Sequence, residues 1–552
     1  MVSVQQSGMH GSHTERRMSR QIRGTSGSAI DAPLLLGIDL GTSRLKVALF
    51  NERGELLFSS SGALTMLSAC PGIYEQDSRT WWQTLCGLIG ELAEQVPNAT
   101  NAIGAIGVCG QSHGPTPISR RGEPLGPCMT WLDRRGEQDV EWILRVVGDD
   151  LLLREGNPPA DTCYTAAKLL WIKRRSPALF EEVHKFLLPK DVLVHWLTGA
   201  FCTDRTDASV TNLFSEQAMG WSDAILDRLR IDREKLPTVR EAWDIAGEVT
   251  REAALATGLR EGTPVIVGAA DWASTYFGAG GVRPGVVFDV AGTVGAILCT
   301  TSRDIGMPHT IGIIPGLRHA FGCCVESSAA SYEWFRKLLG ESNVSCPLSL
   351  EELDAMAAEA PAGACGVLAI PKLAGARRPE NSMARGAIMG LSLSSNAAHV
   401  ARAILEGVAY EYRAGVERLR GAGIACERLR AVGGGARSEV WRQIKADVMQ
   451  AEYEITNREE AGAFGVAMVA GFAVGVFASV ESPIERFVTV ARTTQPRAER
   501  SALYDGLYRI YRDVSQALEA ERVHESLDGM KDVGKGATAV ADGVSSQGGK
   551  QA

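Results

Sequence analysis

Two stretches of this chain set an acid at the end of an apolar run and follow it with glycine and hydroxyl residues. They are "LLLGIDLGTSRLKVALF" (34–50) and "GVVFDVAGTVGAILCT" (285–300). A dinucleotide loop would need G-x-G-x-x-G opening a helix; here another apolar strand follows. The "GTS" tip is expected to be a β-turn in which Gly41 takes positive φ. Backbone amides and the hydroxyls of Thr42 and Ser43 can then surround phosphate oxygens. Asp39 beside them would repel a bare phosphate, so its presence calls for a magnesium ion between the two. An acid that merely caps a tight turn is the alternative. The second hairpin, with Gly292 and Thr293 at its tip, weighs against that reading.

Other residues add to this chemistry. "GGGARSEVW" (433–441) lets a base or phosphate approach the backbone and ends on a helix start with free N–H groups; a plain glycine loop is the alternative. Asp271 follows the apolar run "TPVIVGAA". In a cleft it can take the proton of a sugar hydroxyl attacking a γ-phosphate; it can also be a helix cap. Gln111 and His113 in "GQSHGP" can hydrogen-bond a polyol. Trp131, Asp133 and Arg134 in "TWLDRR" mix a ring with polar groups, as sugar pockets do; an ion pair is the alternative.

The elements that position these residues alternate between strand and helix. After the turn "NERG", "ELLFSSSGALTM" completes a three-stranded meander. "DSRTWWQTLCGLIGELAEQV" opens on a capping Asp or Ser and carries a helical apolar stripe. Val400, Ile404, Val408 and Tyr412 recur at four-residue spacing, with Gly421 as a stop. The repeated hairpin predicts two related halves whose tips face one cleft, with a boundary near residues 258–270.

The 552 residues exceed one ordinary core. A net charge of −8 argues against a nucleic-acid partner. Twelve cysteines without metal spacing suit a reduced, cytoplasmic setting. No apolar run is long enough for a membrane helix. Residues 1–32 and 523–552 are polar or glycine-rich and are expected to be disordered.

Taken together, "GIDLGTSRLKVALF", "YEQDSRTWW", "GVCGQSHG", "AAKLLWIKRRSPALF", "LLPKDVLVHWLTGAFCTDRTDASVT", "GTPVIVGAADWA", "ARGAIMGLSLSSNAAHVARAILEGVAY" and "AVGGGARSEVWRQIKADV" resemble the FGGY carbohydrate kinases, most of all the branch acting on xylulose. The resemblance spans about residues 34–520. It implies an α/β fold of two ribonuclease H-like domains, as in actin and hexokinase, with ATP and magnesium in the cleft between them. The implied division is 33–264 for the sugar and first phosphate-loop side and 265–522 for the base and nucleotide side. It implies that Asp39 is the magnesium-linked acid, with Gly41 and Thr42 in the first phosphate loop and Gly292 and Thr293 in the second. Gly434, Gly435 and Ala436 would lie beside the nucleotide, Ser112 and His113 on the sugar, and Asp271 would be the general base. The implied partner is a small sugar or polyol, D-xylulose first, then ribulose, erythritol or glycerol. A homodimer is an expectation by analogy.

The chain departs from the family pattern. "GQSHG" stands for "GQMHG", "WLDRR" for "WNDGR", "AGARRP" for "SGERTP", and Asp271-Trp272 for Asp-Asn. Trp272 next to the base is expected to reshape the sugar pocket. Two other functions fit the cleft: an actin-fold ATPase that drives a partner, which would need a client-binding domain, and a silent sugar-binding regulator.

Overall fold

The computed structural model describes residues 33–70, 72–340, 348–376, 384–520 and 523. The disorder expected for 1–32 and 523–552 falls, residue 523 apart, outside the described residues. So does the greater part of "ARRP".

The first sheet comprises β1 (Leu34–Leu40), β2 (Arg44–Phe50), β3 (Leu56–Ala63), β4 (Ile103–Gly110), β5 (Ile245–Glu248), β6 (Pro264–Ile266) and β7 (Ala269–Ala270). Its order is β5-β6-β4-β1-β2-β3, with β7 also on β4. The pairs β1–β2 and β2–β3 are antiparallel, the expected meander, while β4 runs parallel to β1. Strand β1 is buried along its length except at Asp39, because helices cover both faces of the sheet. On one face lies α1 (Ser78–Gln95), whose N-cap Asp77 accepts the Arg79 amide and which buries Trp81, Leu85 and Ile89. Two further helices set the site: α2 (Pro189–Thr198) and α3 (Asp271–Gly278).

The second sheet comprises β8 (Val287–Ala291), β9 (Gly295–Thr301), β10 (His309–Ile311), β11 (Arg318–Val325), β12 (Arg428–Val432), β13 (Glu452–Thr456) and β14 (Val490–Thr494). Its order is β10-β11-β9-β8-β12-β13-β14. Here too an antiparallel trio, β11-β9-β8, continues into parallel strands, β12 and β13. The repeat seen in the sequence is therefore a repeat of topology, and the two domains are ribonuclease H-like. Helices α4 (Ala329–Gly340), α5 (Ala397–Gly421) and α6 (Glu439–Met449) belong to this half. Helix α5 buries Ile404, Val408 and Tyr412.

The first sheet ends at residue 270, within the expected 258–270 window and past the implied division at 264/265. Residues 264–266 and 269–270 pair with β4, so the first sheet runs past residue 264 and Asp271 emerges from it. The base expected on the second domain stands on the first. The chain also crosses back. Helix α7 (Ala461–Ala473), reached from β13, packs on α3, β1 and β4. It is apolar all round, as a fully buried helix must be. Glycines permit the approach: a Cβ at Gly37 would overlap the Ala463 carbonyl, and one at Gly278 the Ala461 carbonyl.

Ion pairs also join the halves. Arg134 meets Asp161 and, across the cleft, Glu326, each at 3.0 Å. Glu216 meets His309 at 3.0 Å and Arg318 at 2.5 Å. Burial pulls the His309 pKa down, but its hydrogen bonds to Glu216 and the Met307 carbonyl outweigh this and leave it raised above 6.5. The His309 and Arg318 partners hold Glu216 below 4.5. The contribution of His309 to stability is complete below its unfolded pKa and is lost as pH rises through the folded value. That of Glu216 is lost on acidification through its lowered pKa. The stability difference between wild type and His309→Gln is thus expected to peak between about pH 5 and 6.5 and to shrink above it. Urea unfolding across pH 5–9 reads this; a difference that grows with pH would contradict it.

Among the described residues no helix is long and apolar enough to cross a membrane. The described cysteines are all free thiols.

Candidate active site

The first hairpin turns at Gly41–Arg44, closed by the Gly41 amide on the Arg44 carbonyl at 3.0 Å. Gly41 does not use positive φ. Its glycine requirement is steric, since a Cβ would sit 3.1 Å from the Arg44 oxygen. Thr42 is held from two sides: Trp131 Nε1 donates to its hydroxyl at 2.8 Å, and Gln76 Nε2 to its carbonyl at 2.7 Å. With its oxygen accepting from Trp131, the Thr42 hydroxyl proton is left to donate to a ligand. Ser43 is exposed at the tip.

Asp39 and Lys46 are cross-strand partners in β1 and β2. They share a face and line a cleft of about 550 Å³ with Gly433, Ala436, Arg437 and Gly462. Arg442, Arg458 and Arg492 also line it, giving a basic wall suited to a polyphosphate. Lys46 bonds Glu460 across the cleft at 3.0 Å. Sequence reasoning passed over Lys46, although strand alternation from Asp39 through the turn would have found it. Burial raises the Asp39 pKa, and Glu460 adds to this against the lowering by Lys46.

The second hairpin tip is braced by helix α4, whose Ala329 and Ala330 amides donate to the Gly292 and Thr293 carbonyls at 3.1 and 3.3 Å. Thr293 is exposed and Gly292 half-buried. Asp289, the sequence echo of Asp39, does other work: it is fully buried and pairs with Lys445 at 2.7 Å. The spacing explains this. Asp39 stands two residues before its glycine and Asp289 three, and one residue along a strand turns a side chain to the opposite face.

The glycine triplet sits against this hairpin. Gly433 has φ 90°, and a Cβ there would lie 2.9 Å from the Ala291 carbonyl. Gly435 packs against Trp441, whereas Gly434 faces open space. The start of α6 is less free than expected, because Ser438 Oγ accepts the Trp441 amide at 3.2 Å.

Asp271 opens α3 at the end of β7 and accepts the Trp272 amide at 2.6 Å. The N-cap is Ala270, which makes no side-chain capping bond, so Asp271 stands in the first turn of α3 with one oxygen on the Trp272 amide and the second available. Burial raises its pKa to about 7, with the Asp39 charge adding to the effect. Cys109 joins the two electrostatically: its thiol hydrogen-bonds Asp39 and Ser274 and feels both carboxylates.

Ser112 is buried and donates to Asp207 at 2.7 Å. His113 adopts φ 71°, a left-handed conformation that costs a non-glycine residue about 1 kcal/mol or more. Its Nδ1 lies 2.9 Å from the Val210 carbonyl and its ring packs edge-on to Tyr164. Gln111 donates to Gln76 at 2.7 Å, which continues to Thr42; the pair braces the turn of the first hairpin. Asp133 is buried, accepts the Tyr74 amide and pairs with Arg135 at 2.8 Å. Arg135 Nε reaches both Asp133 oxygens at 3.0 Å, which is the ion pair of the alternative reading. Trp131 serves the first hairpin and Arg134 the contact between halves. Trp272 packs on Tyr276 and on His319 of the second domain, so its ring lies across the domain junction. Burial holds His319 at a pKa of about 3, hence neutral.

Comparison with known proteins agrees with this architecture. The N-terminal domain model of the FGGY family of carbohydrate kinases matches residues 34–278, and the C-terminal domain model matches 290–474. The chain is 31% identical over 498 residues to the xylulose kinase of Escherichia coli K12, covering 88% of this chain and 99% of that one. It superposes on the crystal structure of xylulose kinase from Rhodospirillum rubrum with a TM-score of 0.78 at 29% identity, over 88% of this chain and 99% of the other. Plasmodium falciparum glycerol kinase with ADP, at 20% identity and a TM-score of 0.75 over 87% of this chain and 98% of that one, shares the fold. The chain belongs to the FGGY family of carbohydrate kinases.

Proposed function

We propose that this kinase transfers the γ-phosphoryl group of ATP to a hydroxyl of D-xylulose, giving D-xylulose 5-phosphate, with Asp271 as general base. The observation that carries the reading is a carboxylate held at about pKa 7 at the end of β7, within the electrostatic field of Asp39. A base poised near neutrality both takes a proton and stays ionised. The sugar oxygen attacks the γ-phosphorus, its proton passes to Asp271, and the bond from phosphorus to the β,γ-bridging oxygen breaks, releasing ADP.

The residues supply placement and charge. Thr42 and Ser43 on one tip and Gly292 and Thr293 on the other offer amides and hydroxyls to the phosphates, and Gly41 forms the turn that presents the first pair. Lys46 neutralises phosphate charge once it parts from Glu460. Gly434, Gly435 and Ala436 border the nucleotide. Ser112 and His113 orient the sugar, with Trp272 bounding the far side.

Asp39 fits a magnesium ion. Among the described residues no group of three or more acidic, His or Cys side chains gathers to hold a metal unaided. A carboxylate facing a polyphosphate cleft, with too few protein ligands around it for a closed metal site, suits a cation that keeps its waters and shares its ligands with phosphate. When bound, magnesium supplies neutralisation of phosphate charge.

D-Xylulose is favoured because relatives 29% and 31% identical to this chain bear that activity in their names and are matched over 95% and 99% of their length. An ADP-release assay across pentuloses, hexuloses and C3–C5 polyols tests the choice. The highest kcat/KM is expected for D-xylulose; a higher value for ribulose, erythritol or glycerol would reassign the substrate. Trp131→Phe removes the hydrogen bond to Thr42, worth about 1 kcal/mol. It is expected to raise KM for ATP about fivefold and to leave KM for the sugar unchanged, as read from saturation kinetics with each substrate varied in turn.

A further inference from the structure

Beneath the sugar side lies a cluster of charge sealed from water. Lys190, in the first turn of α2, has a fully buried ammonium. It lies 2.5 Å from Asp191, 3.1 Å from Asp204 and 3.4 Å from Asp207, all three side chains likewise at 0% exposure. Burying one cation with three carboxylates is costly and needs a compensating role. Burial pulls the Lys190 pKa down, but its three neighbours outweigh this and hold it well above the usual lysine value. Burial likewise raises Asp207 well above the carboxylate range despite the lysine beside it.

The outward bonds of the cluster reach both reactive edges. Asp207 Oδ1 accepts the Ser112 hydroxyl at 2.7 Å. Asp204 Oδ2 accepts the Thr206 amide at 2.7 Å and its hydroxyl at 2.5 Å. The same Thr206 hydroxyl accepts the Ala270 amide at 2.9 Å, and Ala270 immediately precedes Asp271. Strand ends bring the two arms together, because Ala270 pairs with Gly110 in the sheet. Lys190 packs against that end: a Cβ on Gly110 would meet the Lys190 Cβ at 3.1 Å.

We infer that Lys190, Asp204, Thr206 and Asp207 are positioning residues that fix the sugar-side Ser112 and the base Asp271 relative to one another. The inference rests on the kinase reading above. One arm, through Asp207, sets a sugar contact. The other, through Thr206, sets the backbone from which the base projects. A rigid, dry cluster suits this task, since a misplacement near 1 Å can cost about a hundredfold in rate.

The test is sugar-dependent ADP release by the full-length enzyme, with unfolding midpoints taken in parallel. Thr206→Val removes the hydroxyl that receives the Ala270 amide and leaves the lysine and its carboxylates in place. It is expected to lower kcat roughly ten- to hundredfold, leave KM for ATP within about twofold, and shift the acid limb of kcat/KM for the sugar. Thr206→Ser, which keeps the hydroxyl, restores wild-type kinetics. Lys190→Met, where it folds, is expected to lower kcat and raise KM for the sugar together; where it does not fold, the Thr206 pair decides. A folded Thr206→Val enzyme with wild-type kcat and an unmoved acid limb overturns the inference while wild-type activity upholds the kinase reading. A wild-type enzyme that releases no ADP with any sugar overturns both.

Discussion

Asp271→Asn is expected to lower kcat by roughly 10²–10⁴-fold while nucleotide binding persists. The substitution isolates the proton-accepting role. Asn keeps an oxygen for the Trp272 amide that Asp271 accepts at 2.6 Å, so the start of α3 is preserved. Nucleotide affinity should hold, because the hairpin tips and the Gly433–Ala436 loop are untouched. The pH profile supplies the sign. Asp271 must be ionised to act, and burial, reinforced by Asp39, sets its pKa at about 7. In the wild type, kcat/KM for the sugar should therefore fall about tenfold per unit as pH drops below that value, since this parameter reports the free enzyme. The Asn variant should lack that limb. Stopped assays from pH 5 to 9 with isothermal titration of nucleotide would measure both. A fully active variant, or an acid limb that survives the substitution, would remove Asp271 from the role of base.

The second large effect concerns stability. In Gly37→Ala, the added methyl group would overlap the Ala463 carbonyl of helix α7. A side chain could rotate away, whereas a backbone oxygen in a buried helix cannot. Overpacking of this kind costs about 3 kcal/mol, at the upper end of the usual range. Gly90→Ala is the control. Gly90 lies inside α1, with nothing within 4 Å of a new Cβ, and should stabilise that helix by about 0.5–1 kcal/mol. Urea midpoints of the two variants should thus move in opposite directions. Activity should fall with Gly37→Ala as well, because α7 also carries Gly462, where a Cβ would come 2.9 Å from Asp39 Oδ2. A Gly37→Ala protein as stable as wild type would mean that α7 does not clamp the first sheet as described.

Much of the site was legible in the order of residue types. The paired hairpins, the meander, the long helix ending near Gly421 and the position of Asp271 after a strand all follow from local pattern. Period-two alternation and turn residues act within a few positions and leave a direct trace. Roles that depend on distant partners were not legible. Asp133 was read as a sugar contact or an ion pair, and Arg135 engages both its oxygens. Asp289 looked like a second Asp39 until one extra residue before the glycine turned it into the core to meet Lys445. Gly41 was expected to need positive φ, yet what it needs is clearance from the Arg44 carbonyl.

By itself the sequence determined the groups on offer: two glycine-and-hydroxyl turns, an acid beside the first, a carboxylate at a strand end and two related halves. These are local, because hydrogen-bonding turns and strand faces are set by neighbouring residues. The tertiary structure decided which half each group serves. Strands β6 and β7 add to the first sheet and carry Asp271 with them, and α7 returns from the second half to press on β1. Pairing over hundreds of residues rests on burial and close backbone contact, and no local pattern encodes which partner a strand or helix will find.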